Sequence, residues 1–160
     1  MKRQFVLWIL LVVLMITSAC SSSKLSDEEK KAKEYRIALQ VRNRDYTIET
    51  SRAIPMRGGS INLSYGYDLK ISKDSVYAYL PYYGVVQSAP MGSDGGIRFA
   101  TLMTDYNITP TKDGWNVRFR IDSREQKHDF MLSIFKNGRS SITVTPLQRD
   151  RITYWGEMKL

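Results

Sequence analysis

The sequence predicts a mainly β protein: a single antiparallel meander of about eight strands forming a β-sandwich or barrel, preceded by one N-terminal α-helix. Three observations carry that prediction. From Asp45 onward, apolar residues recur at every second position, the period of a strand with one face buried. Turn residues such as Lys112-Asp113-Gly114 punctuate the alternation. No apolar pattern of helical period separates the strands, so nothing supplies the crossovers that parallel pairing needs.

Taken in order, the first element is the helix, expected over residues 26–42. Ser26 and Glu29 have the spacing of a capping box, and Asp27 and Glu28 sit at the positive end of the helix dipole. Ala32, Tyr35, Ala38 and Leu39 fall on one face, expected to dock on the domain that follows. The β domain is expected over residues 45–160. Ile61, Leu63, Tyr65, Tyr67, Leu69 and Ile71 alternate with polar residues and Gly66, which predicts one long strand. Val76, Ala78 and Leu80 continue the pattern after a turn at Ser72-Lys73-Asp74, and a further strand runs from Ile97 to Met103. Trp115, Val117, Phe119 and Ile121 define another, as do Phe130, Leu132 and Ile134, which lead into a hairpin turn at Asn137-Gly138. Ile142 with Val144, then Ile152 with Tyr154, complete the set. The alternation fits a sandwich and a closed barrel equally.

The first nineteen residues read differently. Lys2 and Arg3 precede an unbroken apolar run from Phe5 to Ile16, long enough for the hydrophobic region of a signal peptide and short for a membrane-spanning helix. Thr17-Ser18-Ala19-Cys20 resembles a bacterial lipobox, with Thr17 where Leu is usual. The resemblance implies a lipoprotein signal peptide over residues 1–19, cleavage between Ala19 and Cys20, lipid on the Cys20 thiol, and a tether over residues 20–25. Several acyl chains at about 0.8 kcal/mol per buried methylene hold a protein durably at a membrane. Ser21 after Cys20, with no acidic residue before Asp27, points to the outer membrane and its periplasmic leaflet. Without residues 1–19 the chain keeps 22 basic and 16 acidic residues, since only Lys2 and Arg3 of its 24 basic residues are lost. Outside the cytoplasm a basic surface meets lipid headgroups and acidic glycans, so nucleic acid is not an expected partner.

Catalytic chemistry finds little support. One His and one Cys exclude most metal cages and any disulfide within the chain, and no cofactor is expected. His128 reads as a solvent-facing residue near a turn. No Gly-x-Ser-x-Gly elbow occurs, and Asp68, Asp74, Asp94, Asp105 and Asp113 are scattered over turns and wet faces. Gly92-Ser93-Asp94-Gly95-Gly96 precedes a strand, whereas a phosphate loop precedes a helix. No catalytic residue is assigned and the protein is not expected to be an enzyme. The aromatic residues are more suggestive. Tyr77, Tyr79, Tyr82 and Tyr83 crowd around Pro81 and are the candidate ligand-binding residues, with cross-strand structural pairing as the competing role. Arg149 and Arg151 are placed to make cation–π contacts with Tyr154 and Trp155. Asp74-Ser75-Val76 resembles an acceptor signal for O-glycosylation and makes Ser75 a candidate modification site.

Leu80-Pro81-Tyr82-Tyr83-Gly84, Gly95-Gly96-Ile97-Arg98-Phe99, Gly114-Trp115, Gly138 with Thr143-Val144, Arg149 and Ile152-Thr153-Tyr154-Trp155-Gly156 together resemble a bacterial family known as domain of unknown function 4251. The tract from Arg57 to Ile71 is similar to the opening of that family. The resemblance implies small secreted or lipid-anchored proteins of Gram-negative bacteria and supplies no catalytic residue. The expected role is therefore a lipid-anchored envelope module that binds or scaffolds, with a glycan, peptide or envelope protein as partner besides the membrane. The alternatives are a subunit of an outer-membrane assembly and a hydrolase acting on envelope polymers.

Overall fold

In the computed structural model, which describes residues 26–64, 66–84, 96–122, 127–147 and 149–160, one helix precedes ten antiparallel strands. The expected signal peptide, the Ala19–Cys20 cleavage site, the tether, Tyr65 and all of the Gly92–Gly96 loop except Gly96 lie outside the described residues. The elements are α1 (Asp27–Asn43), β1 (Asp45–Pro55), β2 (Ile61–Asn62), β3 (Asp68–Ser72), β4 (Ser75–Leu80) and β5 (Ile97–Leu102). Then come β6 (Thr104–Thr111), β7 (Gly114–Asp122), β8 (Lys127–Phe135), β9 (Arg139–Pro146) and β10 (Ile152–Met158).

The sheet order is β5-β4-β3-β1-β10-β9-β8-β7-β6, with the short β2 on β1. The chain therefore runs as two meander arms, β1–β5 and β6–β10, joined because the last strand returns to pair with the first. That closure resolves the sandwich-or-barrel alternative: the sheet curls into a nearly closed barrel whose free edges are β5 and β6. Side chains bridge the interior behind those edges. The Tyr46 and Tyr106 hydroxyls lie 3.2 Å apart, and Phe99 of β5 meets Phe130 of β8 edge to face, ring centres 5.9 Å apart. Phe130 in turn stacks on Phe119 at 4.8 Å. The inward positions of the alternation, among them Ile48, Leu69, Ile71, Val117, Leu132, Ile142, Val144 and Tyr154, form one continuous core. Each such large side chain contributes about 1.5–3 kcal/mol on burial.

Three expectations need correction. The long strand over Ile61–Ile71 is broken into β2 and β3. The chain between Asn62 and Asp68 is longer than the Thr50–Ser51 stretch that it faces, so it bows away from β1. The Thr50 amide and hydroxyl donate to the Tyr67 carbonyl, the Leu63 amide donates to that of Ser51, and Gly66 turns with φ +101. Side-chain alternation is blind to such a detour because it keeps its phase across it. β6 was not expected: it is an edge strand with only Tyr106 and Ile108 half-buried, so it lacks the apolar signal of a central strand.

The helix docks by the opposite side from the one expected. Its capping box is present, with Ser26 Oγ accepting from Glu29 and Glu29 accepting from the Ser26 amide. Ile37 and Val41 are its buried residues, however, while Tyr35 is 66% exposed and Leu39 38%. Arg44, in a left-handed conformation (φ 53), ends the helix and turns the chain directly into β1. With β1 starting there, only the Ile37–Val41 side reaches the barrel, and Lys33 fastens it through Glu157 at 3.2 Å.

Candidate functional site

The antiparallel register arranges outward side chains in rows across neighbouring strands, with facing Cβ atoms about 4.5–5.5 Å apart. Two regions of this outer surface contrast. On β3–β4–β5 the rows are filled by mutual contact. Tyr79 packs on Tyr67 with ring centres 5.1 Å apart and lies under the Arg98 guanidinium at 4.4 Å, while Lys70 reaches over Tyr77 at 6.0 Å. The other region spans β8, β9, β10 and β1. Here Trp155 has small Ser141 as its partner on β9, and Arg139 lies between Phe135 and Glu157 in the next row. Small side chains between aromatics leave a hollow of ≈ 820 Å³, in the range of small-molecule sites.

Trp155 is 50% exposed and Phe135 45%. Arg52 lies over the Trp155 ring at 5.8 Å and donates through Nε to Asn62 at 3.3 Å. Backbone geometry holds this arrangement. β1 carries a bulge, with its register against β10 slipping between Thr50 and Arg52. Gly156 permits the close approach: a Cβ there would stand 2.0 Å from the Glu49 carbonyl oxygen. Bulges of this kind re-aim side chains next to functional sites. Glu157 is occupied by Lys33, so Arg52 and Arg139 give the hollow a positive balance.

A second depression, ≈ 760 Å³, lies further along the same outer surface over β6–β9 and is lined by Asn116, Arg118, Arg120, Met131, Thr143 and Arg151 among others. Two carboxylates converge there on one guanidinium: Asp129 on Arg120 Nε at 2.9 Å and Asp105 on Arg120 Nη1 at 3.4 Å. Both carboxylates are well exposed, 64% and 70%. The triangle is a surface ion-pair network open to solvent.

The four candidate tyrosines are not brought together. Tyr77 and Tyr79 project outward from β4, opposite Val76, Ala78 and Leu80, as the alternation predicts, but they are engaged by Lys70, Tyr67 and Arg98. Tyr82 turns to the far loop, donating to the Asp150 carbonyl at 2.8 Å beneath the Arg149 guanidinium. Tyr83 lines a separate rim depression with Pro55, Arg57 and Ile61. Ser75 opens β4 on its outward side, half-buried between Ser72 and Leu102. The cation–π pairing also differs from expectation: Arg52 serves Trp155 and Arg149 serves Tyr82, while Tyr154 is wholly buried and donates to the Pro81 carbonyl at 2.7 Å. Burial, ahead of the nearby Tyr82 and Tyr83, drives the Tyr154 pKa far upward.

His128 is half-buried rather than solvent-facing. It shares the inward phase of Phe130 two residues later and stacks on Phe99 with ring centres 5.7 Å apart. Burial, then the charge of Arg149, lowers its pKa from 6.5 to about 4. No cluster of three His, Cys, Asp or Glu with metal-binding geometry occurs among the described residues. The Trp155 hollow escaped the sequence reading although its signal was present. Ile152 and Tyr154 set an inward phase that makes Trp155 an outward aromatic, and Phe130, Leu132 and Ile134 do the same for Phe135.

No curated protein matches the chain. Among solved structures it is similar to a DUF4251 family protein from Bacteroides eggerthii, with 14% identity, a TM-score of 0.64, and alignment over 79% of this chain and 87% of that one. At that identity the likeness concerns the fold. The model of the family described as Domain of unknown function (DUF4251) matches residues 28–158, nearly the whole described molecule, and the chain belongs to that family.

Proposed function

We propose that the protein is a lipid-anchored module of the cell envelope that binds an acidic saccharide in the hollow between Trp155 and Phe135 and carries out no reaction on it. The observation that carries this reading is an outward Trp with unfilled space beside it, bordered by Arg52, Asn62, Arg139 and Ser141. A flat aromatic face accepts the apolar side of a pyranose ring, and planar polar side chains satisfy its hydroxyls. Lys33 neutralises Glu157, and the remaining arginines favour a carboxylate- or phosphate-bearing sugar. The anchor reading rests on the small residues before Cys20 and the apolar run preceding them, and it places the barrel at the periplasmic leaflet of the outer membrane.

The test is a titration of the purified protein with acidic and neutral oligosaccharides released from the bacterial envelope, followed by isothermal calorimetry. An acidic saccharide should give a saturable heat of binding, with an affinity that weakens as salt rises, and Trp155→Ala should abolish it. An unchanged affinity in Trp155→Ala would remove the hollow as the site. Turnover of the saccharide during the titration would replace binding with hydrolysis. Metabolic labelling with an alkyne palmitate tests the anchor separately, with label expected on the wild type and none on Cys20→Ser.

A further inference from the structure

α1 carries apolar side chains on two opposite sides, and the barrel uses only one. At about 100° per residue, Ile37 and Val41 lie diametrically across the helix from Ala32, Tyr35 and Leu39. The second stripe is exposed and begins at Glu28, one turn before Ala32; Lys31, Arg36 and Arg42 flank it, and Glu29, beyond Arg36, is engaged with the Ser26 amide. None of these three cations is paired with a carboxylate among the described residues. The geometry points to a lipid surface as the occupant: we propose that Ala32, Tyr35 and Leu39 lie on the bilayer to which Cys20 tethers the chain, with Lys31, Arg36 and Arg42 on its anionic headgroups. The proposal rests on the anchor reading above.

Chain length supports it. Ser26, the helix cap, is six residues beyond Cys20, and an extended chain spans at most ~3.6 Å per residue, so the helix starts within ~22 Å of the Cys20 Cα. The helix itself, 17 residues long, is ~25 Å from end to end. So short a leash keeps the helix near the surface, where its exposed stripe meets lipid at high effective concentration. A tyrosine with a wet hydroxyl, one leucine and flanking basic residues suit the headgroup boundary rather than the hydrocarbon. No helix among the described residues is long and apolar enough to cross a membrane. A docked stripe would give the barrel a set orientation, with α1 against lipid and the far end of β1, near Met56, turned away.

Cys20 is the only cysteine, and as a thioether it would leave an introduced cysteine as the one free thiol. Full-length Tyr35→Cys, Leu39→Cys and Met56→Cys proteins, matured in cells, are labelled with an environment-sensitive fluorophore and reconstituted into vesicles of phosphatidylethanolamine and phosphatidylglycerol. Positions 35 and 39 should show blue-shifted emission that headgroup-level lipid quenchers remove, while position 56 stays wet and unquenched. Replacing phosphatidylglycerol with phosphatidylcholine should reduce the shift at position 35. Labels at 35 and 39 as wet as that at 56, on protein that floats with the vesicles, would overturn the proposal and leave the anchor standing. Protein that fails to float overturns the anchor reading and this proposal with it. Thiol cross-linking of two copies through position 35 would assign the stripe to a second copy instead, which also overturns it.

Discussion

The outer surfaces of β3–β4–β5 and of β8–β9–β10–β1 are built from the same alternation and both carry aromatics, yet only the second leaves space beside them. On the first, the rings are covered by close neighbours: Tyr67 packs on Tyr79 with ring centres 5.1 Å apart, Arg98 lies over Tyr79 at 4.4 Å, and Lys70 reaches over Tyr77 at 6.0 Å. On the second, Trp155 stands between Ser141 on β9 and Arg52 on β1, whose guanidinium is 5.8 Å from its ring centre, and Gly156 beside it brings β1 close through a bulge. How closely the neighbouring side chains cover a ring, more than the number of rings, separates a surface that stabilises itself from one open to a ligand.

That contrast breaks most severely at Gly156. Gly156→Ala places a Cβ on the Glu49 carbonyl, and β1 must move away from β10 to admit it. The expected loss is about 2–4 kcal/mol in chemical denaturation, with loss of saccharide binding as the bulge beside Trp155 is displaced. An unaltered denaturation midpoint would show that the bulge yields without cost.

Next in size is a reciprocal pair. Trp155→Ala should weaken saccharide binding by about 2 kcal/mol or more, as a central aromatic contact does, and change stability by no more than about 0.5–1 kcal/mol through the lost Arg52 contact. Tyr79→Ala should do the reverse, costing about 1 kcal/mol of stability through the lost Tyr67 and Arg98 contacts while leaving the titration unchanged. If both variants bind alike, the two surfaces do not differ in function. Tyr82→Phe sharpens the reading of the third tyrosine as a latch. Losing its bond to the Asp150 carbonyl should cost about 0.5–1.5 kcal/mol with binding unaffected.

The smallest effect is a slope with pH. His128 takes up its proton near 6.5 in the unfolded chain and only near 4 in the folded one, so the unfolded state binds more protons between those values. Stability from this source is complete above pH 6.5 and is lost as pH falls towards 4. Thermal melts across that window should show wild type losing Tm relative to His128→Gln; parallel curves would mean that the imidazole protonates freely in place.

Some of this was legible in the linear pattern for a simple reason. Period-two alternation is local, so Val117, Phe119 and Ile121 had to face one way and Arg118 and Arg120 the other, whatever the strands paired with. The same holds for the capping box, where Ser26 and Glu29 satisfy each other within one turn. Phase was even present for Trp155, Phe135 and His128, though it names a side of the sheet and no neighbours.

Local pattern therefore determined the class of the fold, the inward residues and the start of the helix. Tertiary structure alone decided that β10 closes onto β1, that Ile61–Ile71 detours around Gly66, and which side of α1 meets the barrel. It also decided that Trp155 stands between Ser141 on β9 and Arg52 on β1. These outcomes depend on register between residues distant in the chain, and register is set by closure of the whole sheet, which no short window of sequence encodes.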